Sequence, residues 1–285
     1  RLSGESPFFD SKIAYIAETG PKDRRRKQLA IMDSDGANHR FITNGQATAL
    51  TPRYSPDYSR IVYLSYLNGA PRIYVYNIGT GQQTLVTQST NPTFAPRWSP
   101  DGKWILYSMA IAGNTDIYRV PATGGQSTRL TDSPGIDVGG SYSPDGSKIV
   151  FESDRSGSQQ LYVMDADGSN QKRISFFGGR AATPEWSPRG DQIAFTHIGG
   201  NFRIAVTDPY GKGMRFLTDS WQEILQRRAG NAQTGAYPQP LRAVLGEMAA
   251  VVLGGNYILN QRISQETDFQ YLFTDSKKAL EDLLK

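Results

Sequence analysis

Four serines stand 44 residues apart, at Ser55, Ser99, Ser143 and Ser187. Each sits in the same phrase: Tyr54-Ser55-Pro56-Asp57, Trp98-Ser99-Pro100-Asp101-Gly102, Tyr142-Ser143-Pro144-Asp145-Gly146 and Trp186-Ser187-Pro188-Arg189-Gly190. A fixed period of this length marks a repeat architecture, and strand-rich units of about 40–45 residues point to propeller blades.

The second unit shows the grammar in full. An expected first strand over Thr51 to Ser55 ends at Pro56, which cannot donate to a ladder. Arg60 to Leu64 is the second strand, Asn68-Gly69 opens a hairpin, Arg72 to Tyr76 is the third strand, and Thr84 to Thr87 the fourth. Fixed offsets then define columns. Eight residues after the serines come Tyr63, Tyr107, Phe151 and Phe195. Eighteen after come Ile73, Ile117 and Leu161, with Ile204 one early; thirty-one after come Val86, Leu130 and Ile174, with Leu217 one early. Because side chains alternate faces along a strand, a fixed offset fixes the face, so each column is expected to be buried against a neighbouring blade.

The first unit aligns if Pro7 takes the place of the serine, with Tyr15 eight residues later. Three strands are expected there, over Lys12 to Ile16, Gln28 to Met32 and Arg40 to Thr43, with a loop from Glu18 to Lys27 that carries Arg24-Arg25-Arg26-Lys27. A convincing innermost strand is missing. The units fall at about residues 7–45, 46–90, 91–134, 135–178 and 179–218. Beyond Thr218 the period fails. Residues 219–285 read as a mainly helical C-terminal segment of unknown origin: Leu241 to Leu253 is apolar at helical spacing, Gly254-Gly255 is a plausible stop, and Ser276 is a fair cap for Lys277 to Leu284. The expected fold class is therefore all-β, a propeller of four-stranded blades, followed by that segment.

The 29 glycines and 16 prolines suit many short strands joined by turns. The balance of 31 basic and 27 acidic residues, net +4, is too mild to require a polyanionic partner, and no aromatic residues interleave the basic run, so no nucleic-acid partner is expected. There is no cysteine, which excludes disulfides and cysteine-based zinc sites. No apolar run reaches 18 residues, so no transmembrane segment is expected. The chain begins at Arg1, as a processed or cut chain would.

The repeated Ser-Pro-Asp-Gly-x-x-Ile-x-Tyr, the Ile-Tyr-x-x-Asp strand and the closing Arg-Leu-Thr resemble the TolB-type β-propeller family over roughly residues 7–222. Lys12 to Glu18, Leu161 to Asp165 and Gly211 to Trp221 fit the same family. The resemblance implies a periplasmic, non-enzymatic interaction scaffold of the Tol–Pal envelope system. It would support outer-membrane integrity and cell division, and would be peripheral to the outer membrane through the peptidoglycan-associated lipoprotein Pal, with other Tol proteins as further partners. Family members carry a small N-terminal α/β domain and six blades. This sequence is expected to supply five of those blades, without that domain.

Candidate chemistry is sparse. His39 and His197 read as ordinary residues, and no Gly-x-Ser-x-Gly elbow exists, so a hydrolase- or lyase-linked propeller lacks its catalytic set. Asp33-x-Asp35-Gly36 and Asp165-x-Asp167-Gly168 resemble the start of a calcium loop but lack its later ligands, so they read as turns; no cofactor or metal is expected. A recombined propeller fragment without Tol function is a further alternative. What remains is surface recognition at the rim, where the chain enters each innermost strand. Pro92, Ala95, Val138 and Thr183 are the positions that the resemblance points to for Pal docking, with Thr51 in the preceding repeat. The plain alternative is that these residues only pack the channel mouth.

Overall fold

The computed structural model describes residues 12–218, apart from residues 22 and 34. The described residues form an all-β propeller of five blades. Blade 1 is the three-stranded sheet Lys12–Thr19, Arg26–Asp33 and Arg40–Phe41. Blades 2 to 5 are four-stranded, with innermost strands Ala49–Tyr54, Thr93–Trp98, Asp137–Tyr142 and Arg180–Trp186. In each of these the chain meanders outward through antiparallel hairpins; in blade 2 the order is Ala49–Tyr54, Arg60–Asn68, Ala70–Asn77 and Gln83–Leu85. The helical reading of 219–285 lies outside the described residues.

The columns are the core. Tyr63, Tyr107, Phe151 and Phe195 are at most 1% exposed, and Ile73, Ile117 and Leu161 are fully buried. The clusters run between blades rather than within them. Ile73 and Val86 of blade 2 pack with Tyr107 of blade 3; Ile117 and Leu130 pack with Phe151 of blade 4; Leu161 and Ile174 pack with Phe195 of blade 5. Each aromatic thus fills the flank that the previous blade's aliphatic columns present. The last aliphatics of the series, Ile204 and Leu217, are only half-buried, because no sixth blade covers them among the described residues.

The motif residues act as turn and strand locks. Ser55, Ser99 and Ser143 each donate Oγ–H to the aspartate two residues on, at 2.5, 2.5 and 2.6 Å, and accept the backbone N–H of the residue five on. Ser187, followed by Arg189, uses Asp191 instead, at 2.7 Å. At the outer edge a hydroxyl closes every blade: Thr43, Thr87, Thr131, Ser175 and Thr218 accept from the backbone N–H of Leu29, Ile73, Ile117, Leu161 and Ile204. A closing Thr or Ser recurs because it satisfies an N–H where the short outer strand has ended.

Two expectations need correction. The loop expected from Glu18 to Lys27 is shorter, since the hairpin continues to the pairs Glu18↔Lys27 and Thr19↔Arg26. Opposite charge extends it: Glu18 accepts from Arg25 at 3.3 Å and pairs with Lys27 at 2.9 Å. The innermost strand of blade 2 begins at Ala49, not Thr51, because Thr51 sits in a bulge inside the strand rather than at its start.

Candidate functional site

The register identifies the rim. Ala49 pairs with Ser65 and Arg180 with Ile198, so the start of each innermost strand lies beside the hairpin that joins the second and third strands. The loops carry this further: Tyr66 N donates to Thr48 O, and Ala110 N to Pro92 O. Leu67, Ile111 and Phe202 on the hairpins, and Ile136 and Phe176 on the inward-leading loops, are all exposed at this one face, Phe176 by 75%. Exposed apolar side chains gathered at one face mark a candidate contact surface.

Every complete innermost strand is bulged at the same place. The ladder slips between Leu50 and Arg53, Phe94 and Arg97, Val138 and Ser141, and Ala182 and Glu185. The residues Thr51, Ala95, Gly139 and Thr183, again 44 apart, take φ of 47°, 53°, 69° and 51°. This left-handed conformation disfavours residues with a Cβ, and three of the four have one. Three expected site residues, Thr51, Ala95 and Thr183, therefore share one structural position, and in blade 4 its occupant is Gly139 rather than Val138, which pairs with Glu152 one residue earlier. Pro92 lies outside this set, exposed on the loop before the strand.

Thr183 is held twice: its N–H donates to Glu152 Oε2 at 3.1 Å, and its Oγ1 lies 3.0 Å from Thr196 Oγ1. Glu152 is 7% exposed, and burial pushes its carboxyl up to about 7, against the lowering by the Thr183 N–H. Leu64, Ser108 and Thr196 stand at the same repeat position, so a buried carboxylate there is particular to blade 4.

Below the bulges, the side chains two residues before each repeat serine face the axis: Arg53, Arg97, Ser141 and Glu185. Arg97 Nε lies 3.3 Å and Arg53 Nη2 4.0 Å from Glu185 Oε2, bringing blades 2, 3 and 5 together across the channel. Burial and the nearby Arg97 charge pull Arg53 down to about 9, partly offset by Glu185, so it remains protonated at neutral pH. Sequence reading passed over Glu152 and this charged set. The signal for the latter was present, one residue inward of the aromatic in every repeat.

The remaining candidates are structural. His197 is buried, its Nε2 2.7 Å from Gly178 O and its ring against Phe177 and Phe216, while His39 is exposed. Asp35 accepts from Ala37 N and Asp165 from Asn170, as turn residues do. Among the described residues no three His, Cys, Asp or Glu side chains are grouped to hold a metal, and no helix is long and apolar enough to cross a membrane.

The family model described as TolB beta propeller domain matches residues 1–234, most of the chain. The chain belongs to this TolB β-propeller family. The family is a non-enzymatic one. Among curated relatives, Tol-Pal system protein TolB 1 of Novosphingobium aromaticivorans is 79% identical over 83 residues, which is 29% of this chain and 18% of that protein. The Tol-Pal system protein TolB of Sphingopyxis alaskensis is 72% identical over 76 residues, 27% of this chain and 17% of that protein. The crystal structure of TolB from Acinetobacter baumannii superposes with a TM-score of 0.69 at 32% identity, covering 76% of this chain and 55% of that one. The chain thus spans about half of the solved TolB, and its matches span under a fifth of the two curated relatives. A second family model, Domain of unknown function (DUF1731), matches residues 240–283.

Proposed function

We propose that this chain is a periplasmic protein–protein interaction scaffold of the Tol–Pal system, which binds Pal at the propeller rim, works with other Tol proteins, and supports outer-membrane integrity and cell division without catalysis. The observation that carries this reading is the rim itself. Exposed Leu67, Ile111, Ile136, Phe176 and Phe202 surround the mouth formed by the repeated bulges. Such a surface offers apolar area for burial over a rigid scaffold, as partner recognition requires. Membership of the TolB β-propeller family supports the choice of Pal as the partner. Residues 1–218 would form the propeller and 219–285 a separate unit, a division supported by the second family match at 240–283.

Pal titrated into the chain, followed by calorimetry, tests this. Ala95 is half-buried at the mouth, so Ala95→Trp places a large ring across the docking face. Binding should weaken by about tenfold or more while the melting temperature stays within a few degrees, a loss of about 1.4 kcal/mol. Pal binding that is absent, or unaffected by the substitution, overturns the rim assignment.

A further inference from the structure

A basic hairpin stands at the rim on blade 1. Tyr15 holds the repeat position of Tyr63, so the turn between Lys12–Thr19 and Arg26–Asp33 lies at the same face as Leu67. Residues 20–25 join these strands, where Gly69 alone joins their counterparts in blade 2. The hairpin is fastened beside the mouth. Thr19 Oγ1 donates to Gln28 Oε1 at 3.1 Å, and Gln28 Nε2 donates to Thr43 O at 2.9 Å. Gly45 comes so close that a Cβ there would lie 2.9 Å from Gln28 Cγ and 3.4 Å from Arg26 Cβ. The same loop runs on to Thr48, whose carbonyl takes the Tyr66 N–H next to the exposed Leu67. The cations and the apolar rim therefore belong to one surface.

Charge is divided unevenly over this face. On blade 1, Arg24, Arg25 and Arg26 are exposed and Lys27 is half-buried. Glu18 is shared between Arg25 at 3.3 Å and Lys27 at 2.9 Å, and Asp23 lies 3.4 Å from Arg24, so four cations meet two carboxylates. On blade 3 the sign reverses: Arg129 meets two carboxylates, Asp116 at 2.6 Å and Asp132 at 2.8 Å. We infer that the partner docking on this rim carries a cluster of carboxylates beside its apolar face, and that the blade 1 hairpin receives them. This rests on the reading of the rim as the Pal surface. Complementary charge draws a partner in from solution and fixes its register more than it adds affinity. An anionic bilayer is a surface of one sign, whereas a rim that is positive on blade 1 and negative on blade 3 suits a protein with opposite poles.

Association of Pal with the full chain is followed by stopped flow at about 0.01 M and about 1 M salt, where charges are felt over about 30 Å and about 3 Å. Arg24→Gln/Arg26→Gln removes two charges and leaves both Glu18 pairs in place. Arg189→Glu, on an exposed turn at the opposite end of the blades, changes the net charge by the same amount. The hairpin variant should slow association about three- to tenfold at low salt, leave dissociation nearly unchanged, and match the parent at high salt. Arg189→Glu should leave the rate close to that of the parent, and Ala95→Trp should weaken binding at both salts. Pal binding that is weakened by Ala95→Trp but keeps the parent's salt dependence in the hairpin variant overturns the acidic contact and leaves the rim assignment standing. Equal slowing by Arg189→Glu traces the effect to net charge and overturns the contact too. Binding of the chain to phosphatidylglycerol vesicles that the hairpin variant abolishes, with Pal association unaffected, assigns the hairpin to lipid instead. Absence of Pal binding overturns both the contact and the rim reading beneath it.

Discussion

Trp98 Nε1 donates to the backbone carbonyl of Arg53 at 3.1 Å, tying the indole of blade 3 to the innermost strand of blade 2. The Arg60 guanidinium covers the same ring, 4.7 Å from its centroid, and donates to Gly102 O. Trp98, the aromatic before its Ser-Pro, is thus an inter-blade rivet. Trp186 holds the same repeat position, but its buried Nε1 has no hydrogen-bond partner among the described residues.

Trp98→Phe should therefore cost about 1–2 kcal/mol, through the lost hydrogen bond and the orphaned carbonyl. Trp186→Phe deletes a donor that is already unsatisfied and should be near neutral by the same accounting. Urea denaturation of the two variants measures the difference, and equal losses would show that the indole N–H plays no part in blade docking.

The inter-blade columns make a graded prediction. Phe151 and Ile117 are fully buried between blades 3 and 4, so Phe151→Ala should cost roughly 3–5 kcal/mol and Ile117→Ala roughly 2–5 kcal/mol. Ile204 ends the same aliphatic column as Ile117 but is half-buried, and Ile204→Ala should cost less than half as much. A loss at Ile204 as large as at Ile117 would show that its flank is covered as tightly as the inner ones.

Gly36 and Gly168 occupy the same turn of two repeats, at φ 84° and 94°. A Cβ on Gly36 would meet nothing within 4 Å among the described residues, whereas one on Gly168 would lie 2.5 Å from Leu130 O in the preceding blade. Gly36→Ala should cost about 1–2 kcal/mol for the left-handed backbone alone. Gly168→Ala should cost a further 1–3 kcal/mol or so for the steric overlap. Thermal melts that place the two variants together would rule out close blade-to-blade approach at this turn.

What the sequence made legible was whatever repeats. The columns at Tyr107, Ile117 and Leu130 recur because every blade must fill the same wedge, so a ruler of 44 residues finds them without a structure. The bulge at Thr51, Ala95, Gly139 and Thr183 also keeps the period, but its residue types differ, and the left-handed backbone that unites them leaves no common side chain to read. Glu152 was illegible for the opposite reason: it breaks its column, and nothing local distinguishes a buried carboxylate from a surface one. Its meaning depends on Thr183, 31 residues away in the next blade.

Glu152 also sets the pH behaviour. Its folded-state carboxyl is raised to about 7 from an ordinary 4.5, so folding favours the protonated form. The stability it contributes is complete below about pH 4.5 and is lost as pH rises through 7, amounting to roughly 3 kcal/mol. Asp57 and Asp145 act in the reverse sense: hydrogen bonds from Ser55 and Ser59, and from Ser143 and Ser147, hold both at about 2. Their contribution is present above about pH 3.8 and is lost as pH falls toward 2; these turns are exposed, so solvent screening makes it smaller. Stability should therefore peak near pH 4–5 and decline toward neutrality. Glu152→Gln keeps an acceptor for the Thr183 N–H but cannot ionise, so it should flatten the decline, matching the parent at pH 4 and exceeding it at pH 7.5. Urea midpoints measured across pH 3–8 decide the matter: a parent chain that gains stability between pH 5 and 7.5, or a Gln variant that declines as steeply as the parent, would remove Glu152 as the titrating group.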